Sequence, residues 1–180
     1  GVEAVFDAGE QLPAFDLHAP LLSVPARLGL GAADIPPKGA YLTVPPESAQ
    51  RWAPRMARRN RNLRVGLVWG GNPNVRNDRF RSPRLQPLLP LFDLPGIEWV
   101  VLQQGDGRRD LETFAPRGHI VDIAAEVTDF ADTAAIMNEL DLVISSDTST
   151  AHLAAALGRP TWVILHYAAD WRWMRDEGTV

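Results

Sequence analysis

From Leu63 onward, short apolar runs alternate with stretches that favour helix, and no such rhythm precedes them. LRVGLVW (63–69), IEWVVLQQ (97–104), HIVDIA (119–124), DLVISS (141–146) and TWVILH (161–166) are short, apolar and rich in β-branched residues, which predicts five strands. Four helices are predicted between them. The first, over 82–92, opens with Ser82 at the cap and Pro83 at the first helical position. A weaker one covers 107–114. A third covers 128–140, with Thr128 or Asp129 as cap. The last covers 148–158, with Gly158 as its stop and Pro160 beyond. Strands separated by helices imply parallel pairing and a sheet covered on both faces, so the expected fold is a doubly wound α/β sheet. Ligands of such sheets bind beyond the carboxyl ends of the strands, where the strand order reverses.

The first 62 residues read differently. Prolines at 13, 20, 25, 36, 37, 45, 46 and 54 interrupt any long element. A short strand over 2–6, a helix over 17–28 capped by Asp16, an extended piece over 40–44 and a basic helix-forming stretch over 48–61 are the expectations here. No separate core is evident. The division drawn is therefore 1–62, a partial domain plus linker, and 63–180, a Rossmann-like domain.

Composition narrows the functional classes. The chain of 180 residues is 46% apolar, enough for a sizeable core, and its net charge of −4 argues against nonspecific nucleic-acid binding. The absence of cysteine excludes disulfides and thiolate–zinc sites. No apolar run approaches the roughly 18–20 residues of a transmembrane helix. The first residues lack the pattern of a signal peptide, so a cytoplasmic location is expected. The chain lacks an initiator Met and reads as a piece of something longer.

Three loops reach the predicted ligand edge with unusual polar content: 70–81, 103–109 and 145–151. In the last, a buried strand ends in SSDTST and a small-residue helix starts at once. First-turn N–H groups lack intrahelical partners and, with the helix dipole, attract anions. Ser146, Thr148, Ser149 and Thr150 add hydroxyls, and His152 lies one turn from Thr148. An ordinary capped helix with a satisfied histidine explains the spacing about equally well. In WGGNPNVRNDRFRS (69–82), Gly70 and Gly71 permit close backbone approach, and Arg76, Arg79 and Arg81 are suited to phosphate oxygens. A solvated basic loop is the plainer reading. Gln103, Gln104 and Asp106 follow the second strand, where a base or ribose would sit, although a polar turn needs no ligand. AADWRWM (168–174) offers Asp170, Trp171, Arg172 and Trp173 as possible cleft residues. Neither GxGxxG, GxxxxGK[ST] nor GxSxG occurs, and the four histidines (18, 119, 152 and 166) have no metal-ligand spacing.

Three blocks taken together carry a resemblance: VGLVWGGNPNVRNDRFRS, DFADTAAIMNELDLVISSDTSTAHLAAALGRPTWVIL and DWRWM. They resemble the C-terminal region of bacterial tetratricopeptide-repeat proteins that end in a glycosyltransferase-like module. More distantly they are similar to the lipopolysaccharide heptosyltransferases, glycosyltransferase family 9. The resemblance implies a GT-B architecture, two Rossmann-like domains facing a cleft, with the donor held by the C-terminal one. It implies no metal and no cofactor, the donor being a nucleoside-diphosphate sugar and the acceptor a glycan, lipid or protein. Asp147, Thr148 and His152 match motif residues that contact the donor's diphosphate and sugar. Arg81, with Arg79 as alternative, matches the basic residue that neutralises the leaving nucleoside diphosphate. The assignment implied is Arg81 and His152 in catalysis, with Gly70, Gly71, Arg79, Gln103, Asp147, Thr148 and Ser149 in donor binding.

Two departures qualify the match. Arginine stands where the family usually has lysine, and the segment carrying the family's general base has no counterpart here. Residues 1–30 resemble the last strand and helix of the partner domain; Asp16 and His18 could reach the cleft from there, and neither is assigned as the base. The expected partners are therefore the missing N-terminal half and a repeat domain, and these residues alone are expected to turn over slowly or not at all. A noncatalytic nucleotide-sugar-sensing or assembly module on the same fold is the alternative, and a sugar epimerase of the same two-domain class stays open.

Overall fold

The computed structural model describes residues 3–31, 34, 39–76, 78–170 and 173. The chain divides into two compact units, Gly1–Pro37 and Lys38–Val180. In the first, the described residues form a 3-10 turn, Leu21–Ser23, and a single helical turn, α1 (Val24–Arg27). The helix expected over 17–28 is thus cut to its second half. Pro20 lacks an N–H and drives its predecessor out of helical geometry, and Pro25 is tolerated only because it sits in the first turn. Residues 3–6 of the expected strand over 2–6 are irregular; Val2 lies outside the described residues. Large apolar side chains from Val5 to Leu30 are exposed, in line with a segment lacking a core.

The second unit contains the sheet. Its strands are β1 (Leu63–Val68), β2 (Ile97–Val101), β3 (His119–Asp122), β4 (Leu142–Ser146) and β5 (Thr161–Ile164). All pair in parallel, in the order β3-β2-β1-β4-β5. Alternating side chains sort into two cores. Val68, Val100 and Val143 face α5 (Phe130–Asn138), α6 (Ser149–Ala156) and the side chains of Trp52 and Met56. Val65, Leu67, Trp99, Val101 and Ile144 face the opposite way, against Phe92, Leu88 and, from α4 (Arg109–Phe114), Leu111. The sheet is therefore covered on both faces, and its order reverses between β1 and β4.

Helix α2 (Pro46–Trp52) belongs with this unit although it lies in the stretch read as linker. Trp52 and Met56 are buried in the first core, and Trp52 Nε1 donates to Asp132 Oδ1 at 2.8 Å. Asp129 rather than Thr128 caps α5, accepting from the Asp132 N–H at 2.9 Å. Asp132 reaches back to the N–H and hydroxyl of Thr128 at 3.0 and 2.8 Å, a reciprocal arrangement resembling a capping box. Gly158 ends α6 as expected: its φ is +70°, its N–H donates to Ala155 O at 2.9 Å, and Arg159 N–H donates to Ala154 O at 2.9 Å.

The helix expected over 82–92 does not form. A single turn, α3 (Asp78–Arg81), is followed by a left-handed Arg84 (φ 66°) and a 3-10 helix, Gln86–Asp93. Pro87 and Pro90 remove two N–H donors from that stretch, so the ladder of an α-helix cannot be completed. Ser82 is consequently not a cap. Among the described residues, no helix is long and apolar enough to cross a membrane.

At the start of β4, Asp141 accepts from the Arg64 N–H at 2.8 Å and pairs with Arg58 at 2.7 Å. Burial opposes its charge, but the Arg64 N–H and the Arg58 guanidinium together hold its pKa below the usual carboxylate value. A carboxylate whose pKa is depressed by folding stabilises the native state above its unfolded pKa of about 4 and loses that contribution as pH falls through the folded value. Asp141→Asn is therefore expected to flatten the acid-side fall in melting temperature below about pH 4. An unchanged slope in thermal scans between about pH 2 and 5 would show that the Arg58 and Arg64 contacts do not favour the charged form.

Candidate functional site

Where β1, β2 and β4 end, their following loops enclose a cleft of about 450 Å³. Gly70, Gly71 and Arg81 form one wall, Gln104 and Asp106 a second, and Thr148 with Ser149 a third. This is the position at which the strand order reverses.

The third wall is the start of α6. Thr148 is its N-cap, in extended geometry, but its hydroxyl makes no capping bond. That hydroxyl lies 3.1 Å from Ser145 Oγ instead. The first N–H groups of α6 are thus left to the cleft, at the positive end of a helix dipole. The reading of an ordinary capped helix lacks the cap bond it requires.

Arg81 is the cation of the site. Its Nε lies 3.4 Å from Asp78 Oδ1, and its Nη1 donates to the carbonyl oxygen of Asp147 at 3.2 Å. Arg81 therefore links the β1 loop to the β4 loop across the sheet reversal. Arg79 points elsewhere: its guanidinium lies 4.5 Å over the ring of Phe80, and the residue does not line the cleft. Arg76 is exposed and likewise absent from the lining.

Gln103 lines the cleft but is fully committed to the backbone. Its Oε1 accepts from the N–H groups of Trp69 and Gly70 at 2.9 and 2.8 Å, and its Nε2 donates to Gly70 O and Gln104 O at 3.0 and 2.8 Å. The residue fastens the β1 turn to the β2 end, so its amide has no capacity left for a nucleoside. Gly107 makes room for it, since a Cβ there would fall 2.7 Å from Gln103 Nε2. Gln104 donates to Ala124 O at 2.8 Å.

Asp147 and His152 lie beside the cleft and not in its lining. His152 Nε2 is 3.8 Å from Asp147 Oδ1, and its ring stacks on Trp173 with centroids 5.1 Å apart and planes at 18°. Trp171 and Arg172 lie outside the described residues. Among the described residues, no group of three potential ligands could hold a metal ion. Asp78 and Ser82 are site residues that the sequence does not reveal, Ser82 being read only as a helix cap. The only signal for them was an acid and a hydroxyl among the arginines of NDRFRS, which looks like ordinary loop polarity.

The family model of glycosyltransferase family 9 (heptosyltransferase) matches residues 100–169. That segment includes Gln103, Asp147, Thr148 and His152, while the Gly70–Arg81 loop precedes it. Protein FlbA of Caulobacter vibrioides is 27% identical over 158 residues, covering 81% of this chain and 25% of FlbA. The crystal structure of a family 9 glycosyl transferase from Veillonella parvula aligns with a TM-score of 0.54 at 18% identity, over 78% of this chain and 41% of that one. The E. coli ADP-heptose lipopolysaccharide heptosyltransferase II aligns at 0.50 and 17% identity, over 68% and 38%. The chain thus spans about a quarter of FlbA and about two fifths of these solved chains. At these identities the structural likeness establishes the fold, an α/β sheet like that of the heptosyltransferases.

Proposed function

We propose that this chain is the donor-binding part of a metal-independent, inverting glycosyltransferase, with a nucleoside-diphosphate sugar in the cleft at the sheet reversal. The observation that carries the reading is the pairing of an uncapped α6 N-terminus with Arg81 across one cleft. Backbone N–H groups and the hydroxyls of Ser149 and Thr150 supply neutral donors to phosphate oxygens, and Arg81 supplies a full charge. As the bond between the anomeric carbon and the diphosphate oxygen breaks, negative charge grows on the leaving group, and a fixed cation there stabilises the transition state. The acceptor, a glycan, lipid or protein hydroxyl, attacks from the opposite face of the sugar. The base that takes its proton belongs to the partner half of the protein. Asp147 and His152 lie next to the α6 entrance, where the sugar and distal phosphate would sit.

The test is a thermal-shift series with UDP-, GDP- and ADP-sugars, the last because one similar structure is a heptosyltransferase named for ADP-heptose. Binding to the folded state alone must raise the melting temperature once ligand well exceeds its dissociation constant. Arg81→Ala is expected to weaken the best ligand about 10- to 100-fold, as loss of a charge-assisted hydrogen bond implies, and also to lower the unliganded melting temperature, because the buried Asp78 loses one of its two arginine partners. No shift with any of the three at millimolar concentration would refute the donor-site reading.

A further inference from the structure

The loop after β1 holds a carboxylate that the proposed donor chemistry does not use. Asp78 is only 2% exposed, although Arg79 and Phe80 beside it are on the surface. Its Oδ1 accepts from Ser82 Oγ at 2.7 Å and lies 3.4 Å from Arg81 Nε, while Oδ2 lies 3.3 Å from Arg84 Nη2. Ser82 Oγ accepts in turn from the Gly71 N–H at 2.9 Å. One carboxylate therefore holds the arginine of the cleft and, through a hydroxyl, the glycine turn beside it.

The surrounding backbone is shaped to this group. Arg84 adopts φ 66°, a conformation unfavourable for a residue with a Cβ, and its N–H donates to Trp69 O at 3.0 Å. At Gly71 a Cβ would fall 2.7 Å from Asp78 Oδ1 and 2.8 Å from Arg81 Nη2, so glycine is what allows the turn to close over the ion pair. Burying a carboxylate in a surface loop is costly unless its partners are fixed. Here two arginines and a serine fix it.

Resting on the diphosphate reading above, we propose that Asp78 is the positioning residue for Arg81. Its carboxylate and the Asp147 carbonyl hold the Arg81 guanidinium from two directions. The guanidinium is thereby set in the cleft wall beside the start of α6 before any ligand arrives. A preoriented cation loses less freedom on binding than a free surface arginine.

The test is a double-mutant cycle read by calorimetric titration of UDP, GDP and ADP into the intact chain, combined with ¹⁵N NMR of the arginine Nε–Hε groups. Asp78→Asn is expected to weaken the best of these ligands about 10-fold. The double variant Asp78→Asn/Arg81→Ala should lose clearly less than the sum of the two single losses, because the larger part of the Asp78 effect passes through Arg81. In the unsubstituted chain the Arg81 Hε, assigned by its loss in Arg81→Ala, should exchange slowly with solvent. Additive losses in the cycle, or an Arg81 Hε that exchanges as fast as those of surface arginines, overturn the assignment. Should Asp78→Asn fail to fold, the NMR arm decides alone, since it needs no variant at Asp78. Failure of the unsubstituted chain to bind any of the three, with the Hε protected, overturns the diphosphate reading instead.

Discussion

Glu98→Ala is expected to destabilise the second unit by about 3–5 kcal/mol, because it leaves a buried guanidinium without its counter-charge. Arg64 and Glu98 face each other in register on β1 and β2, and both are 5% exposed. The Arg64 guanidinium bonds Glu98 and the carbonyl oxygens of Met56 and Ala57. On the next strand, again in register, His119 Nδ1 lies 3.3 Å from the other Glu98 oxygen. Three polar residues thus form a row across the amino ends of three strands, at the edge opposite the cleft. Taking both charges away together should be far milder. Arg64→Met with Glu98→Leu is expected to stay within about 2 kcal/mol of the parent, since no charge is left unpaired and only the two carbonyls lose a donor. Urea denaturation of the two variants makes the comparison. Equal losses in the single and the double variant would show that the pair itself stabilises the fold and that an orphaned charge is not the main cost.

Asp132→Ala is expected to cost about 3–4 kcal/mol, or about 10 °C in melting temperature, by stranding several donors at once. Asp132 is fully buried and accepts from Trp52 Nε1, from the N–H and hydroxyl of Thr128, and from Arg51. The indole N–H matters most, because it is buried and has nowhere else to donate; Arg51, more than half exposed, can return to water. Asp132 also links α2 to α5 across 80 residues of sequence. Its loss should therefore loosen α2 from the sheet, seen as a change in tryptophan fluorescence before global unfolding. Asp132→Asn keeps one acceptor and should lose about half as much. A melting temperature within about 2 °C of the parent for Asp132→Ala would mean that α2 is held by the burial of Trp52 and Met56 alone.

Both networks join residues far apart in the chain, and that separates what was legible from what was not. The strands could be read because a strand buried on both faces must be apolar and short. The helices α5 and α6 could be read because their caps and stops are local chemistry, as at Asp129 and Gly158. Strand ends then located the three loops of the cleft. The stretch 82–92 carries cap and proline signals for a helix at its start, but Pro87 and Pro90 within it prevent one. Residue roles inside the cleft were harder. Arg79 and Arg81 are two positions apart on one turn, so they project from different sides of it, and only packing decides which side meets the cleft.

By itself, the sequence determined the doubly wound sheet, the sheet edge at which three polar loops gather, and the helix start that forms one wall of the cleft, because these follow from periodicity and capping over a few residues. Tertiary structure alone decided that Arg81 rather than Arg79 enters the cleft, that Gln103 is tied to backbone, that α2 belongs to the sheet unit, and that Asp78 is buried. Each of these depends on which hydrogen-bond partners the folded chain brings from distant segments, and no local pattern encodes that.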